Sequence, residues 1–194
     1  MEITSEALKA LREATGISVM QCKKALEEAG GDMEKAMVIL RKKGGEAAAK
    51  KSDRTLGAGA VGSYVHSTYE VAALVVLSCE TDFVAKNQDF IALAREIAMQ
   101  VAATNPKALT REEISENDVA KAREVFAAEA KDKPADIQEK IISGKLDAYF
   151  KEQILLDQSF IKDPERTVND LLNDAVQKFG EKVAIRSFTR VTVK

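Results

Sequence analysis

Aromatic side chains are scarce in this chain of 194 residues: they make up 5% of it, and tryptophan is absent. The apolar fraction of 45% comes instead mostly from small and aliphatic residues, and a further 31% of the residues are charged. This is the composition of an ordinary globular protein, and it favours helices packed on a modest sheet. The length allows one large domain or two small ones.

Histidine and cysteine are nearly absent. The chain has one histidine, His66, and two cysteines, Cys22 and Cys79, which lie far apart and match neither a disulfide framework nor a metal-binding motif. Zinc sites draw mainly on histidine and cysteine ligands, so we expect no zinc site. We also predict no metal-binding residue and no cofactor. The low cysteine content fits a reducing compartment, and we expect a cytoplasmic protein.

Long apolar runs and a charge excess of one sign are also missing. No run approaches the roughly 20 residues that a membrane span needs, and the first residues do not have the pattern of a signal or transit peptide. The formal net charge is −2 and the isoelectric point is near 5.7, unlike a general nucleic-acid binder. We therefore expect neither a membrane nor a nucleic acid among its partners.

Catalytic motifs are absent as well. Residues 57–62 resemble G-x-G-x-x-G, but they precede a strand and do not join a strand to a helix, so they fail the structural context of that motif. A cysteine nucleophile would need His66, yet both cysteines lie on apolar faces, where cysteine is usually a small buried hydrophobe. We predict no catalytic residue, and a chain that acts on another macromolecule.

The first 44 residues predict a three-helix domain. Its helices begin near Thr4 or Ser5, at a capping box opened by Ser18, and at Asp32. They end at glycines: Gly16, Gly30-Gly31 and Gly44-Gly45. A bundle of this size is marginal alone, so we expect a neighbouring domain or a partner to stabilise it.

Residues 45–57 are predicted to form a linker, because they contain small and basic residues and few large apolar ones. Basic residues are concentrated over 41–54. They could contact an acidic partner, but we favour a solvated linker, since charge runs usually serve solvation.

Residues 58–194 predict an α+β core domain. Val61, Tyr64 and Val65 mark one strand, and the apolar run 71–79 marks a second that pairs with it as a hairpin. Residues 183–193 predict a third antiparallel strand. In that strand we place Val183, Ile185, Val191 and Val193 on one face, and Arg186 and Arg190 on the other.

Four helical stretches separate the second and third strands. Apolar spacing and cap residues predict helices over about 88–103, from Ser115 to about 131, from Pro134 to about 154, and from Thr167 to Gly180. Gly144 lies inside the third of these, where glycine costs about 1 kcal/mol relative to alanine. We expect a break there, or two separate helices.

The segment 78–87 stands where the second strand gives way to a helix. Thr81 is the predicted N-cap, and Asp82 and Phe83 follow it side by side. On local grounds alone this is a helix cap beside a core phenylalanine.

Three motifs, in the same order, resemble the elongation factor Ts family. They lie in residues 11–32 (LR-x-x-TG, CKKAL and GD), 79–85 (CETDFVA) and 160–168 (FIKDP-x-x-TV), and together they span essentially the whole chain. The resemblance implies a ubiquitin-associated-like three-helix domain, a linker, and a core with a three-stranded antiparallel sheet and packed helices. It also implies guanine-nucleotide exchange on elongation factor Tu.

The resemblance assigns roles to individual residues. Phe83 would wedge between helices of the partner's nucleotide domain, and Asp82 would disturb the partner's Mg²⁺ site. Thr81 and Val84 would fix the corner between the second strand and the next helix, which carries this pair. Phe83 should then be exposed, beside a carboxylate without a structural partner. Contacts from the N-terminal domain would come from Arg12, Val19 and Met20, although core packing or solvent exposure would equally explain Val19 and Met20.

The chain departs from longer family members because it holds one copy of the core unit and has no room for their coiled-coil insertion. We therefore expect a homodimer, since a three-stranded sheet leaves edges that invite pairing.

Two other classes of function stay open. One is a ubiquitin-associated-type adaptor without exchange activity, and the other is a small metabolic enzyme using Asp82 and His66.

Overall fold

The computed structural model describes residues 3–131 and 134–193. Its first elements are α1 (Ser5–Thr15), α2 (Val19–Glu28) and α3 (Met33–Ala49). Each predicted N-cap accepts a hydrogen bond from a first-turn amide of its helix, with Thr4, Ser18 and Asp32 as the acceptors. The helices enclose a core of their own: Leu11, Ile17, Cys22, Ala25, Leu26, Ala36 and Leu40. The three-helix bundle is confirmed.

The rest of the described chain contains both strands and helices. The elements are β1 (Ala58–Val65), β2 (Val71–Cys79), α4 (Asp82–Ala85), α5 (Gln88–Thr104), α6 (Glu116–Ala130), α7 (Ala135–Lys151), β3 (Ser159–Phe160), β4 (Asp163–Thr167), α8 (Val168–Phe179) and β5 (Ala184–Thr192), with short 3₁₀ turns at Arg111–Glu113 and Leu155–Asp157.

Helix α3 is longer than predicted, because Gly44 and Gly45 do not end it. Gly44 is buried where α3 crosses α8, and a Cβ atom at this position would lie 3.3 Å from the carbonyl oxygen of Asn173. Glycine thus permits a close helix–helix approach here. Ala47 and Ala48 then pack against the main core, so the first part of the predicted linker is helical.

The predicted three-stranded antiparallel sheet is confirmed, with strand order β1-β2-β5. Helix α5 covers one face of it. The two elements approach closely at Gly62 in β1, where a Cβ atom would lie 2.1 Å from the carbonyl oxygen of Ala94 in α5. Buried residues from β2, α5 and α8 form the main core beneath the sheet.

The predicted face of β5 is correct for its first half only. Val183 and Ile185 are buried, but Val191 and Val193 are exposed. A register shift opposite Val76 and Leu77 leaves one extra residue in β5, which moves every later side chain to the other face. Arg190 consequently lies on the core side, where its Nε donates to the carbonyl oxygen of Ala102 at 3.0 Å.

Helices α6 and α7 form a hairpin with a core of its own. The predicted break at Gly144 is wrong, because α7 continues through it. Gly144 is exposed with nothing nearby, while Ile142, Leu146 and Phe150 are buried. Burial of that apolar face outweighs the cost of one glycine. Pro134 is the N-cap of α7 instead of its first helical residue.

Candidate functional site

The corner after β2 is a single turn of helix, α4, set between the sheet and α5. Thr81 caps it as predicted: its hydroxyl accepts a hydrogen bond from the Val84 amide at 3.5 Å. Val84 and Ala85 are buried in the main core. Since neighbouring positions on one helical turn point in different directions, anchoring Val84 inward turns Phe83 outward.

Phe83 is the most exposed phenylalanine of the described chain, with 81% of its surface accessible. Its ring borders a shallow groove of about 340 Å³, which Asp82, Lys86 and Asn87 complete. An exposed ring on a helix anchored by buried neighbours has no role in holding this fold together. The alternative of a core phenylalanine is therefore wrong.

Asp82 has a partner, contrary to the expectation of an unpaired carboxylate. Its Oδ2 lies 2.7 Å from Nζ of Lys86, one helical turn later. The hydrogen bond from Lys86 and its positive charge lower the pKa of Asp82, so the side chain is a carboxylate at neutral pH. Both side chains are largely exposed, and such pairs contribute little to stability.

Glu181, in the turn between α8 and β5, binds the corner through hydrogen bonds. Its carboxylate accepts hydrogen bonds from the amides of Glu80 and Thr81, at 3.1 and 3.0 Å, and from the Thr81 hydroxyl at 2.6 Å. Three donors therefore converge on one side chain a hundred positions away along the chain.

Glu80 reaches back in the opposite direction. Its Oε1 accepts the amide of Lys182 at 2.6 Å, and Nη1 of Arg54 contacts both of its carboxylate oxygens. The Lys182 amide, followed by Arg54, lowers the pKa of Glu80. Nζ of Lys182 donates to the carbonyl oxygens of Ser52 and Arg54. The end of the predicted linker is thus attached to the corner and is not merely solvated.

The two residues of the enzyme hypothesis lie at opposite ends of β2. His66 contacts Thr68 in the loop before this strand, and Asp82 follows its end. Nine extended residues separate them by roughly 25–30 Å. Cys79 lies at the Asp82 end, and burial raises the pKa of its thiol, whose Sγ donates to the carbonyl oxygen of Thr81 at 3.2 Å. The structure assembles no cysteine–histidine or aspartate–histidine pair from these residues.

Arg12, Val19 and Met20 are all exposed, around the turn that joins α1 to α2. Core packing of Val19 and Met20 is therefore excluded. They are free to contact a partner, which remains a prediction.

The last turn of α8 connects the α1–α2 turn to the corner. Nε2 of Gln177 donates to Oε1 of Gln21 at 2.9 Å. Nζ of Lys178 lies against Gly16 and pairs with Asp89, in the first turn of α5, at 2.8 Å. The α1–α2 turn and the first turn of α5, which follows the corner, are thus both in contact with the last turn of α8.

Within residues 3–131 and 134–193, no group of three or more His, Cys, Asp or Glu side chains could hold a metal ion. In the same residues, no helix is long and apolar enough to cross a membrane.

A family model described as elongation factor TS matches residues 1–194. The chain belongs to the elongation factor Ts family. Its relatives include elongation factor Ts of Desulforamulus reducens, 49% identical over 97% of this chain and 88% of the relative. Elongation factor Ts of Carboxydothermus hydrogenoformans is 50% identical over 97% and 88%, and that of Thermodesulfovibrio yellowstonii is 46% identical over 100% and 97%.

Membership of the elongation factor Ts family confirms the resemblance drawn from the three motifs and makes this chain a translation elongation factor.

Sequence reasoning missed the residues that support the family's central motif, 79–85. Glu181 and Arg54 are remote from residues 79–85 in sequence, and only the antiparallel pairing of β2 with β5 brings Glu181 to them. The signal available in the sequence was Gly180, which predicted the helix end that turns Glu181 toward the corner.

Proposed function

We propose that this chain promotes GDP release from elongation factor Tu by inserting Phe83 and Asp82 beside the partner's nucleotide site. One observation carries the proposal: in a member of the elongation factor Ts family, the motif 79–85 presents an exposed aromatic ring on a corner that is fixed from both sides. Guanine-nucleotide exchange is the function of that family, and it requires no catalytic group.

Exchange follows from differential binding. A factor that binds nucleotide-free elongation factor Tu more tightly than the GDP complex must weaken GDP binding by the same factor. Each difference of about 1.4 kcal/mol changes the affinity for GDP tenfold. The chain therefore needs contacts that form only when the nucleotide site has opened.

Phe83 suits such a contact. A phenylalanine carries a large apolar area on two side-chain torsions, so little rotamer entropy is lost when it is buried. Burying the exposed ring between partner helices is worth about 1.5–3 kcal/mol. Since the backbone below it is already held by Val84 and Glu181, most of that free energy is available to displace the partner's helices.

Asp82 would act beside the partner's Mg²⁺. GDP is held there through phosphate oxygens and the ion that bridges them to the protein. A carboxylate brought near the ion and the phosphates competes for the hydrogen-bond donors around them. It thereby disturbs how GDP is held, without becoming a metal ligand. Asp82 is ionised and exposed, and its pairing with Lys86 at the surface is weak enough to exchange for a partner contact.

The N-terminal bundle would be a second anchor on the same nucleotide domain, through Arg12, Val19 and Met20. Its position supports this, because Gln21 and Gly16 contact the last turn of α8, which also pairs with the start of α5.

A division into domains at 1–44, 45–57 and 58–194 remains our proposal, with α3 extending across the first boundary. We also place the protein in the cytoplasm, where translation takes place.

We further propose a homodimer, joined through the uncovered face of the sheet. The side chains on this face alternate with those that contact α5, and Val61, Val65, Leu74 and Val191 on it are all more than half exposed. None of its other paired residues is charged, and they are Gly59, Ser63, Ala72, Val76, Ser78, Ala184, Ser187 and Thr189, while Arg186 is the extra residue of the bulge. Contiguous apolar surface of this kind usually marks an interface, and a second copy offers a complementary apolar face.

The exchange function is tested by the release of fluorescent GDP from purified elongation factor Tu, with and without this chain, over a series of Mg²⁺ concentrations. We expect acceleration in its presence. If Asp82 acts on the Mg²⁺ network, the substitution Asp82→Asn should slow GDP release at high Mg²⁺. It should make little difference at low Mg²⁺, where the ion no longer limits release.

No acceleration at any Mg²⁺ concentration would contradict the exchange function. If the chain then bound elongation factor Tu without changing GDP release, the adaptor alternative would replace it.

A further inference from the structure

We propose that Glu181 is a positioning residue for nucleotide exchange, because its carboxylate fixes the direction in which Phe83 and Asp82 leave the sheet. The inference rests on the proposed exchange function and adds a residue outside the motif 79–85. It starts from the convergence of three donors, two amides and one hydroxyl, on this single side chain.

The fold delivers Glu181 to the corner by a specific turn. Gly180 ends α8 with φ of 73°, a left-handed conformation that other residues adopt at a cost. The next residues lead directly into β5, which pairs with the end of β2 at Ser78 and Ala184. Glu181 therefore meets the backbone just after β2, where the ladder of the sheet has stopped and the amides of Glu80 and Thr81 need other acceptors.

The contact is reciprocal. While Glu181 binds the backbone of Glu80 and Thr81, Oε1 of Glu80 binds the amide of Lys182. Two carboxylates on adjacent segments thus each hold the backbone of the other segment. A single hydrogen bond would leave the corner free to pivot, whereas this double contact fixes its position and direction.

Glu181 also controls the cap of α4. The Thr81 hydroxyl donates its proton to Glu181 at 2.6 Å, which leaves its lone pairs to accept the Val84 amide. That second bond is long, at 3.5 Å. Without Glu181 the hydroxyl can rotate, and the turn that carries Asp82 and Phe83 loses both its backbone anchor and its oriented cap.

Position matters for the proposed insertion, because displacement of about 1 Å at a reacting or binding group can remove most of its effect. A loose corner would also yield when Phe83 meets the partner's helices. We expect Glu181→Ala to lower the maximal rate of GDP release at saturating factor about tenfold, equivalent to about 1.4 kcal/mol. The half-saturating concentration should change much less, since the other contact surfaces stay intact.

The conservative variant should recover part of the effect. Glu181→Gln keeps an oxygen that accepts from both amides, but it lacks the charge that strengthens those bonds. Its maximal rate should lie about threefold below that of the wild type, between the wild type and Glu181→Ala. A residue that merely stabilised the fold would instead change the thermal midpoint without this graded loss of rate.

The experiment measures GDP release by stopped flow for the wild type, Glu181→Ala, Glu181→Gln and the control Glu124→Ala. Glu124 is exposed on α6, so the control makes the same chemical change away from the corner. Amide hydrogen exchange at Glu80 and Thr81 is followed in the free proteins. Support requires faster amide exchange and a lower maximal rate in Glu181→Ala, with Glu124→Ala unchanged.

The outcomes separate the two proposals. A wild type that does not accelerate release would contradict the exchange function itself. A wild type that accelerates, together with a Glu181→Ala protein of equal maximal rate, would overturn only the positioning role. If Glu181→Ala does not fold, Glu181→Gln decides: a reduced maximal rate supports the role, and an unchanged rate overturns it.

Discussion

Neighbouring residues at the corner have opposite environments. Val84 is buried in the main core, Phe83 projects into solvent, and Thr81 faces the carboxylate of Glu181. The motif 79–85 therefore contains residues that hold the corner and residues that are presented by it. The family resemblance separated these roles, since it implied an exposed Phe83 on a corner fixed by Thr81 and Val84, whereas the local pattern alone predicted a core phenylalanine.

The two kinds of residue should differ in their effect on stability. Val84→Ala removes two methyl groups from a buried position and should lower the free energy of unfolding by about 2 kcal/mol. Phe83→Ala should change it by less than about 0.5 kcal/mol, since the ring is exposed. Urea denaturation of both variants measures the difference. A large destabilisation by Phe83→Ala would mean that the ring packs against the fold.

Glu80 should make stability depend on pH. Its pKa is lowered in the folded chain by the Lys182 amide and Arg54, so its stabilising contribution is fully present above the ordinary glutamate pKa of about 4.3 and is lost as pH falls below that value. The difference in unfolding free energy between the wild type and Glu80→Gln should therefore shrink between about pH 6 and pH 3. A constant difference over that range would show that the charge of Glu80 makes no contribution.

At the scale of helices and strands, local rules predicted starts better than ends. Four predicted caps are confirmed, Ser18, Asp32, Ser115 and Thr167, and Thr4 is the cap of the first helix, where Thr4 or Ser5 was expected. A cap can be predicted because it depends on residues within one turn. Glycines were less informative. Gly44 and Gly144 lie inside helices, and whether a glycine ends a helix or permits a close approach depends on which element packs against it.

The prediction of one apolar face along the whole of β5 was wrong for the same reason, because it too depends on how a neighbouring element packs. Alternation predicts one face only while the pairing register is regular, and a bulge opposite Val76 and Leu77 changes it midway. The exposed Val191 then contributes to the uncovered face of the sheet instead of to the core. No local pattern in the sequence marked the position of this bulge.

The contact of α5 with β1 gives a prediction at this scale. Gly62→Ala would place a Cβ atom against the carbonyl of Ala94, so backbone must move, and we expect a loss of about 1–3 kcal/mol in unfolding free energy. Gly144→Ala is the matched control. It adds the same methyl group where nothing lies nearby, in the interior of α7, and should gain about 0.5–1 kcal/mol. Chemical denaturation compares the two, and a neutral Gly62→Ala would contradict the close packing.

At the scale of the whole molecule, the corner depends on segments that are distant in the sequence. The end of β2, the turn before β5 and residues 52–54 meet there, and the α1–α2 turn is connected to the same end of the molecule through α8. The three-stranded sheet and the three-helix bundle could be predicted from periodicity and family resemblance. The supporting contacts could not, because they arise only when the strands pair: β5 beside β2 brings Glu181 to the corner, and β1 beside β2 brings Arg54.

The homodimer is tested at this scale. Light scattering at micromolar concentration should give a mass of twice 21.1 kDa for the wild type. Leu74→Glu introduces a charge in the middle of the uncovered face and should shift the protein to a monomer, because burying an unpaired carboxylate there is costly. Glu124→Ala, on α6, should remain dimeric. A monomeric wild type would contradict the dimer.

The most direct test of the account is the maximal rate of GDP release from elongation factor Tu with Phe83→Ala, compared with Tyr69→Ala. Tyr69 is an aromatic residue of similar exposure, 84%, in the loop at the opposite end of β2. We predict that Phe83→Ala lowers the maximal acceleration at least about tenfold, as expected for losing a ring that is buried only in the complex, whereas Tyr69→Ala matches the wild type. Undiminished acceleration by Phe83→Ala would contradict the proposed insertion of Phe83.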